Sequence, residues 1–343
     1  MFTRILVPLD GSPAAEKALP IAARLALTAQ GTLVLIRVIT MGTHFNGKSI
    51  LTSEALQSLV ETEKQKALDY LINIATSPIL NDIEVEMDVS WGQVAPSVFE
   101  QVKNHQCDLI LLSRKHHKGL KHLLPGSVAE RVVMYAPVPV FLIHENGPLP
   151  IFPYIALGQP TCVLMGIDDI AQTSPVIKSA SALLAGLEAG AQPTIRLARV
   201  ISPYTAAHQQ GPQASMLDIM NVVKEHQLKH VQEFQDIDEN SMEIISSACM
   251  SESTLIGTDY ANALIKEAET NIPENGDQNE AHFHLLAISS DFGKNQQAPH
   301  LGNTTLERIT HETQLPVLVV PALPTAHIPP TAQAIETQIL ETL

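Results

Sequence analysis

The chain has 343 residues, 45% of them hydrophobic and 17% charged, with a formal net charge of −15. That length suits two domains of ordinary size, each able to bury its own core. The acidity argues against a nucleic-acid partner, whose backbone needs an extended basic face. Charge is divided unevenly: residues 1–150 hold 13 Lys+Arg against 14 Asp+Glu, and the remainder 8 against 22, so only the first half can receive a polyphosphate. Pro8 and Asp10 interrupt the opening MFTRILVPLD before it could act as a signal peptide. Pro148, Pro150, Pro153 and Pro160 break the uncharged stretch between Glu145 and Asp168, which excludes a membrane-spanning helix there. Cys107, Cys162 and Cys249 are isolated and sit in apolar contexts, the usage of a reduced cytoplasmic protein with buried thiols.

In chain order, the strand-like run ILVPL (5–9) precedes SPAAEKALPIAARLALTA, in which Ala15, Ala18, Leu19, Ala22 and Leu25 share a helical face. Ser12 is a good N-cap, and Pro13 suits the first turn. There follow the strand TLVLIRVI (32–39), a long helix from about Ser53 to Ala75, and the alternating strand IEVEMDVS (83–90). A helix from about Gln93 to Asn104, the apolar strand DLILLS (108–113), a helix opened by Gly126 and running to Tyr135, and the strand VPVFLI (138–143) complete the unit. Apolar strands alternating with helices predict a parallel sheet covered on both faces.

The second half repeats this order. TCVLMGIDD (161–169) matches TRILVPLDG (3–11), placing Asp168 opposite Asp10 and Leu183 opposite Leu25. LGNTTLERITHETQLPVLVV (301–320) matches PGSVAERVVMYAPVPVFLI (125–143), placing Gly302 opposite Gly126. The chain reads as a tandem duplication whose apolar last strands could form a seam between the copies. The tail ends in TAQAIETQILETL, which reads as a short amphipathic helix.

In a doubly wound sheet, ligands bind beyond the carboxyl ends of the strands, where strand order reverses. Two loops are expected there. In PLDGS (8–12), Asp10 can hydrogen-bond a base or ribose. In SRKHHKGLKHLLPGS (113–127), four cations and three histidines precede Gly126 and Ser127, whose backbone N–H groups at a helix start can hold a phosphate.

Members of the universal stress protein family that bind ATP carry Gly, two residues, Gly, nine residues, Gly, then Ser or Thr. This chain keeps the spacing with Ser113, His116, Gly126 and Ser127, and over both halves it resembles a tandem universal stress protein. The resemblance implies an α/β fold of two doubly wound, Rossmann-like, five-stranded parallel sheets of strand order 3-2-1-4-5, arranged in tandem about a pseudo-two-fold. The expected domains are 1–146 and 160–321, with a linker at 147–159 and a tail at 322–343. The resemblance also implies that Asp10 and Val38, with Pro8 and Leu9 leading into that loop, lie near adenine and ribose. Leu112, Ser113, Gly126, Ser127 and Val128 would line the phosphate side. His116 either obstructs a triphosphate or replaces a lost backbone contact with a hydrogen bond. The second copy carries Ser289, Phe292, Gly302 and Asn303 at the matching positions, and Asp169 where the first has Gly11, so a structural copy or a pocket for a less charged ligand is expected.

The expected cofactor is ATP or AMP, and the expected assembly is an intramolecular pseudo-dimer, with a homodimer also open. No metal is expected: His282 and His284 share a strand face but lack a third ligand. GxxxxGK[ST], GxSxG and HExxH are missing, and no acid–base pair can be assigned, so no catalytic residue is expected. Three readings stay open: a stress-response protein that binds an adenine nucleotide without turnover, a non-nucleotide scaffold, and a slow ATPase or autokinase.

Overall fold

The computed structural model describes residues 1–40, 53–114, 128–145, 161–167, 170–187, 194–201, 249–257, 259–270, 283–291 and 305–322. The linker 147–159, the segment 115–127 and the tail from 323 lie outside the described residues.

The first strand, β1 (Arg4–Pro8), runs into α1 (Pro13–Glu16), capped by Ser12, whose Oγ accepts the Ala15 N–H at 3.2 Å. The single helix expected from periodicity is two: α1 stops and α2 (Leu19–Ala29) begins after Lys17 and Ala18. Pro20 explains the break, because it has no N–H for the Glu16 carbonyl and its ring clashes with that group. The apolar face survives the break, with Ala15, Ala18, Leu19, Ala22 and Leu25 all buried.

The chain continues through β2 (Thr32–Ile39), α3 (Ser53–Ala75), β3 (Glu84–Trp91), α4 (Val94–Asn104), β4 (Leu109–Arg114), α5 (Val128–Tyr135) and β5 (Val140–His144). The second half supplies β6 (Cys162–Ile167), α6 (Ile170–Gly186), β7 (Thr194–Ile201), β8 (Cys249–Ile256), α7 (Tyr260–Thr270), β9 (Leu285–Ser289), α8 (Thr305–Glu312) and β10 (Val317–Val320).

All ten strands belong to one sheet, ordered β3-β2-β1-β4-β5-β10-β9-β6-β7-β8. The expectation of two separate sheets is corrected here. Every pairing is parallel except that of β5 with β10, where Val140, Phe141 and Leu142 meet Val319, Leu318 and Val317 in antiparallel register. The sheets merge because a last strand left unpaired would expose its N–H and C=O groups, and the matching edge of the other half satisfies them. VPVFLI and PVLVV therefore form the expected seam.

One core spans both halves on each sheet face. Leu25 of α2, Leu71 of α3 and Leu183 of α6 cover one face; Val98 of α4, Val132 of α5, Leu264 of α7 and Ile309 of α8 cover the other. Phe141, fully buried, lies in the seam. Helices α2 and α6 pack closely, and a Cβ added at Gly186 would come within 2.8 Å of Leu25 Cδ2. Cys107 and Cys162 are buried and free, and burial pushes the Cys107 thiol up to about 12, which keeps it protonated and unreactive.

Candidate functional site

The strand order reverses between β1 and β4. Their pairing consists of Ile5↔Leu109 and Leu6↔Ile110. Beyond those pairs each strand follows its other neighbour: β1 stays with β2 to Pro8↔Ile36, with the Leu9 N–H donating to the Ile36 carbonyl at 2.8 Å, and β4 stays with β5 to Arg114↔His144. The divergence lies at the carboxyl ends of β1 and β4, the place where open α/β sheets bind ligands in a crevice.

The structure brings several of the expected residues to that end of the sheet. Pro8 closes β1, and buried Leu9 and exposed Asp10 follow, the Asp10 Oδ1 accepting the Ser12 N–H at 2.8 Å. Val38 near the end of β2 is half-buried and packs on the core that also holds Leu112. Val128 begins α5 and is 46% exposed. Ser113 is the penultimate residue of β4; its Oγ is buried and has no hydrogen-bond partner among the described residues. His116, Gly126 and Ser127 lie outside the described residues.

The matching end of the second half differs in two ways. Its strands β6 and β9 pair at four positions, from Val163↔Leu285 to Gly166↔Ile288, so they stay together two residues further than β1 and β4 do. Ser289, the counterpart of Ser113, already accepts the Asp291 N–H at 3.3 Å on its Oγ. Asp168, Asp169, Phe292, Gly302 and Asn303 lie outside the described residues.

Sequence reasoning missed a group beside Asp10. Gly11 has φ +82°, and a Cβ there would lie 2.6 Å from Arg37 Nη1, so the guanidinium rests against the loop backbone. The guanidinium carbon also sits 4.8 Å from the centroid of the Tyr70 ring. The Tyr70 hydroxyl donates to Glu16 Oε1 at 2.9 Å, and burial, then this bond, raises the phenol above its ordinary range. The available signal was Arg37 itself, the one charge in the strand TLVLIRVI.

Among the described residues there is no group of three or more His, Cys, Asp or Glu that could hold a metal, and no helix long and apolar enough to cross a membrane. His284 precedes β9 and its Nδ1 accepts the Cys162 N–H at 3.0 Å, while His282 lies outside the described residues.

With this geometry in place, the chain can be set beside known proteins. Residues 1–144 match the model of the Universal stress protein family. Universal stress protein YxiE of Bacillus subtilis is 24% identical over 155 residues, covering 42% of this chain and 100% of its own length. A universal stress protein of Methanocaldococcus jannaschii is 25% identical over 145 residues, or 42% of this chain and 84% of that protein. The crystal structure of a universal stress protein from Archaeoglobus fulgidus covers 93% of this chain and 96% of its own, with a TM-score of 0.56 at 15% identity, which shows a common fold across both halves.

Proposed function

We propose that the universal stress protein domain of residues 1–144 binds an adenine nucleotide, ATP or AMP, in the crevice between β1 and β4, and acts in a cytoplasmic stress response through binding rather than turnover. The observation that carries this reading is the buried Ser113 hydroxyl, which has no hydrogen-bond partner among the described residues and lies just beyond the point where the two strands diverge. Leaving a buried polar group unsatisfied costs about 1–3 kcal/mol, and a ligand oxygen placed there removes that cost. The adenosine end lies toward Asp10 and Val38, and the phosphates lie toward Ser113 and the start of α5, whose dipole favours an anion.

The second half is a structural copy with its own β-α units, related to the first by a pseudo-two-fold through the β5–β10 seam. Its longer strand pairing and the engaged Ser289 support a single site per chain.

Denaturing the purified protein and identifying the released small molecules by mass spectrometry tests the reading. An adenine nucleotide is expected at about one per chain, with calorimetry of the stripped protein giving the same stoichiometry. Release of nothing, together with no heat from ATP or AMP, would favour a scaffold. Steady production of ADP would show turnover instead.

A further inference from the structure

The two described elements that bracket residues 115–127 are the end of β4 and the first turn of α5, and one side chain of the second half touches both. Arg114, the last residue of β4, crosses the seam: its Nη1 donates to the Thr310 carbonyl at 2.7 Å, and its Nη2 donates to His311 Nδ1. The other nitrogen of that ring, His311 Nε2, donates to Glu130 Oε1 on α5. A guanidinium can only donate, so Nδ1 must accept, and the ring hydrogen sits on Nε2, facing the carboxylate. Glu130 is only 7% exposed and Thr310 only 2%, so these two acceptors of the relay are shielded from water. Arg114 is itself held below its usual range, by burial first and against the opposing pull of Glu130.

The relay has no counterpart on the other side of the seam. By the repeat, Ser290 stands opposite Arg114, Met134 opposite His311 and Glu307 opposite Glu130, a set that lacks both the guanidinium and the imidazole and is unable to form it. The second half thus reaches into the surroundings of the first crevice, and the first half does not return the contact in kind.

We infer that His311 is a positioning residue for the first-half site: by bridging Arg114 and Glu130 it fixes the end of β4, and with it Ser113, relative to the start of α5. This rests on the nucleotide reading above. The second half then sets the affinity of the first-half crevice without touching the ligand. It also couples the seam to the ligand, because whatever loosens the seam loosens the spacing of Ser113 and Val128.

The test compares ATP and AMP binding by calorimetry with hydrogen–deuterium exchange of α5 in the ligand-free full chain. His311→Ala is expected to weaken binding about tenfold, the scale of one lost hydrogen bond to a charged group, and to speed exchange in α5. His311→Gln offers one acceptor and one donor in place of the two ring nitrogens and is expected to restore both measurements toward wild type. If His311→Ala fails to fold, Arg114→Lys, which keeps the charge and loses the fork, is expected to show the same weakening in milder form. A wild type that binds nucleotide, with affinity and α5 exchange unchanged in the folded variants, overturns the inference alone. Faster exchange with unchanged affinity also overturns it, because the relay would then be structural only. A wild type that binds neither ATP nor AMP overturns the nucleotide reading and this inference with it.

Discussion

At the scale of single residues, Gly11 and Ser113 make opposite demands on a side chain. Gly11 combines a positive φ with a guanidinium where a Cβ would stand. Gly11→Ala is expected to cost about 1–2 kcal/mol from the left-handed backbone alone, with a further loss as Arg37 leaves Tyr70; chemical denaturation of the ligand-free protein measures the sum. Ser113 has a buried hydroxyl with no partner among the described residues. Ser113→Ala is expected to weaken nucleotide binding by about 1.5–3 kcal/mol, the range for a hydrogen bond to a charged group. Its effect on folding should be neutral or favourable, since an unsatisfied group is removed. Ser289→Ala should leave the affinity unchanged, and equal effects of the two variants would mean that the halves bind alike. The sequence placed Ser113 by motif spacing, but burial of its Oγ without a partner depends on neighbours far along the chain. The role of His311 was illegible for the same reason: its partner Arg114 is 197 residues away.

At the scale of elements, β3 reads as an alternating strand because its acidic residues fall at every second position, and the structure shows what they meet. Glu86 accepts both bonds from Arg4 Nη2, at 2.7 and 2.8 Å, while His105 Nδ1 lies 2.7 Å from its Oε2. The bond from Arg4 holds the Glu86 carboxyl below its usual range, burial opposes that shift, and His105 reinforces it. A carboxylate with a lowered folded pKa stabilises fully above the unfolded value of about 4.3, and the contribution disappears as pH falls through the lower folded value. Glu86→Gln is therefore expected to reduce stability near neutral pH and to flatten its decline below about pH 4; urea midpoints across pH 2–7 would show this. An unchanged acid limb would remove Glu86 from the account. Strands and helices were legible here because period-2 and period-3.6 patterns are local. The split of α1 from α2 was visible only through Pro20, since the apolar face runs on unbroken. Joining of the two sheets left no mark on the pattern, because a buried apolar strand reads alike whether its neighbour is parallel, antiparallel or from the other half.

At the scale of the molecule, the shared cores govern how the chain comes apart. Both apolar clusters contain residues from each half, so neither half holds a complete core when the other is lost. Unfolding is expected to be a single cooperative transition. Trp91, the only tryptophan, lies in β3 of the first half and reports on that half alone, whereas far-ultraviolet circular dichroism reports on both. Coincident denaturation curves from the two probes are expected; separated midpoints would mean that the halves fold independently and that the seam contributes little.

The antiparallel pairing of Phe141 with Leu318 joins two edges that belong to one polypeptide. Two separate chains meeting through the same edges would come apart on dilution, and any effect of one on the other would vary with the amount of protein in the cell. Here the covalent connection holds the edges at a local concentration that does not depend on how much protein is present. The affinity of the crevice, so far as the second half sets it, is thereby insulated from expression level: a cell that makes ten times more of this protein gains ten times more sites, each with unaltered affinity.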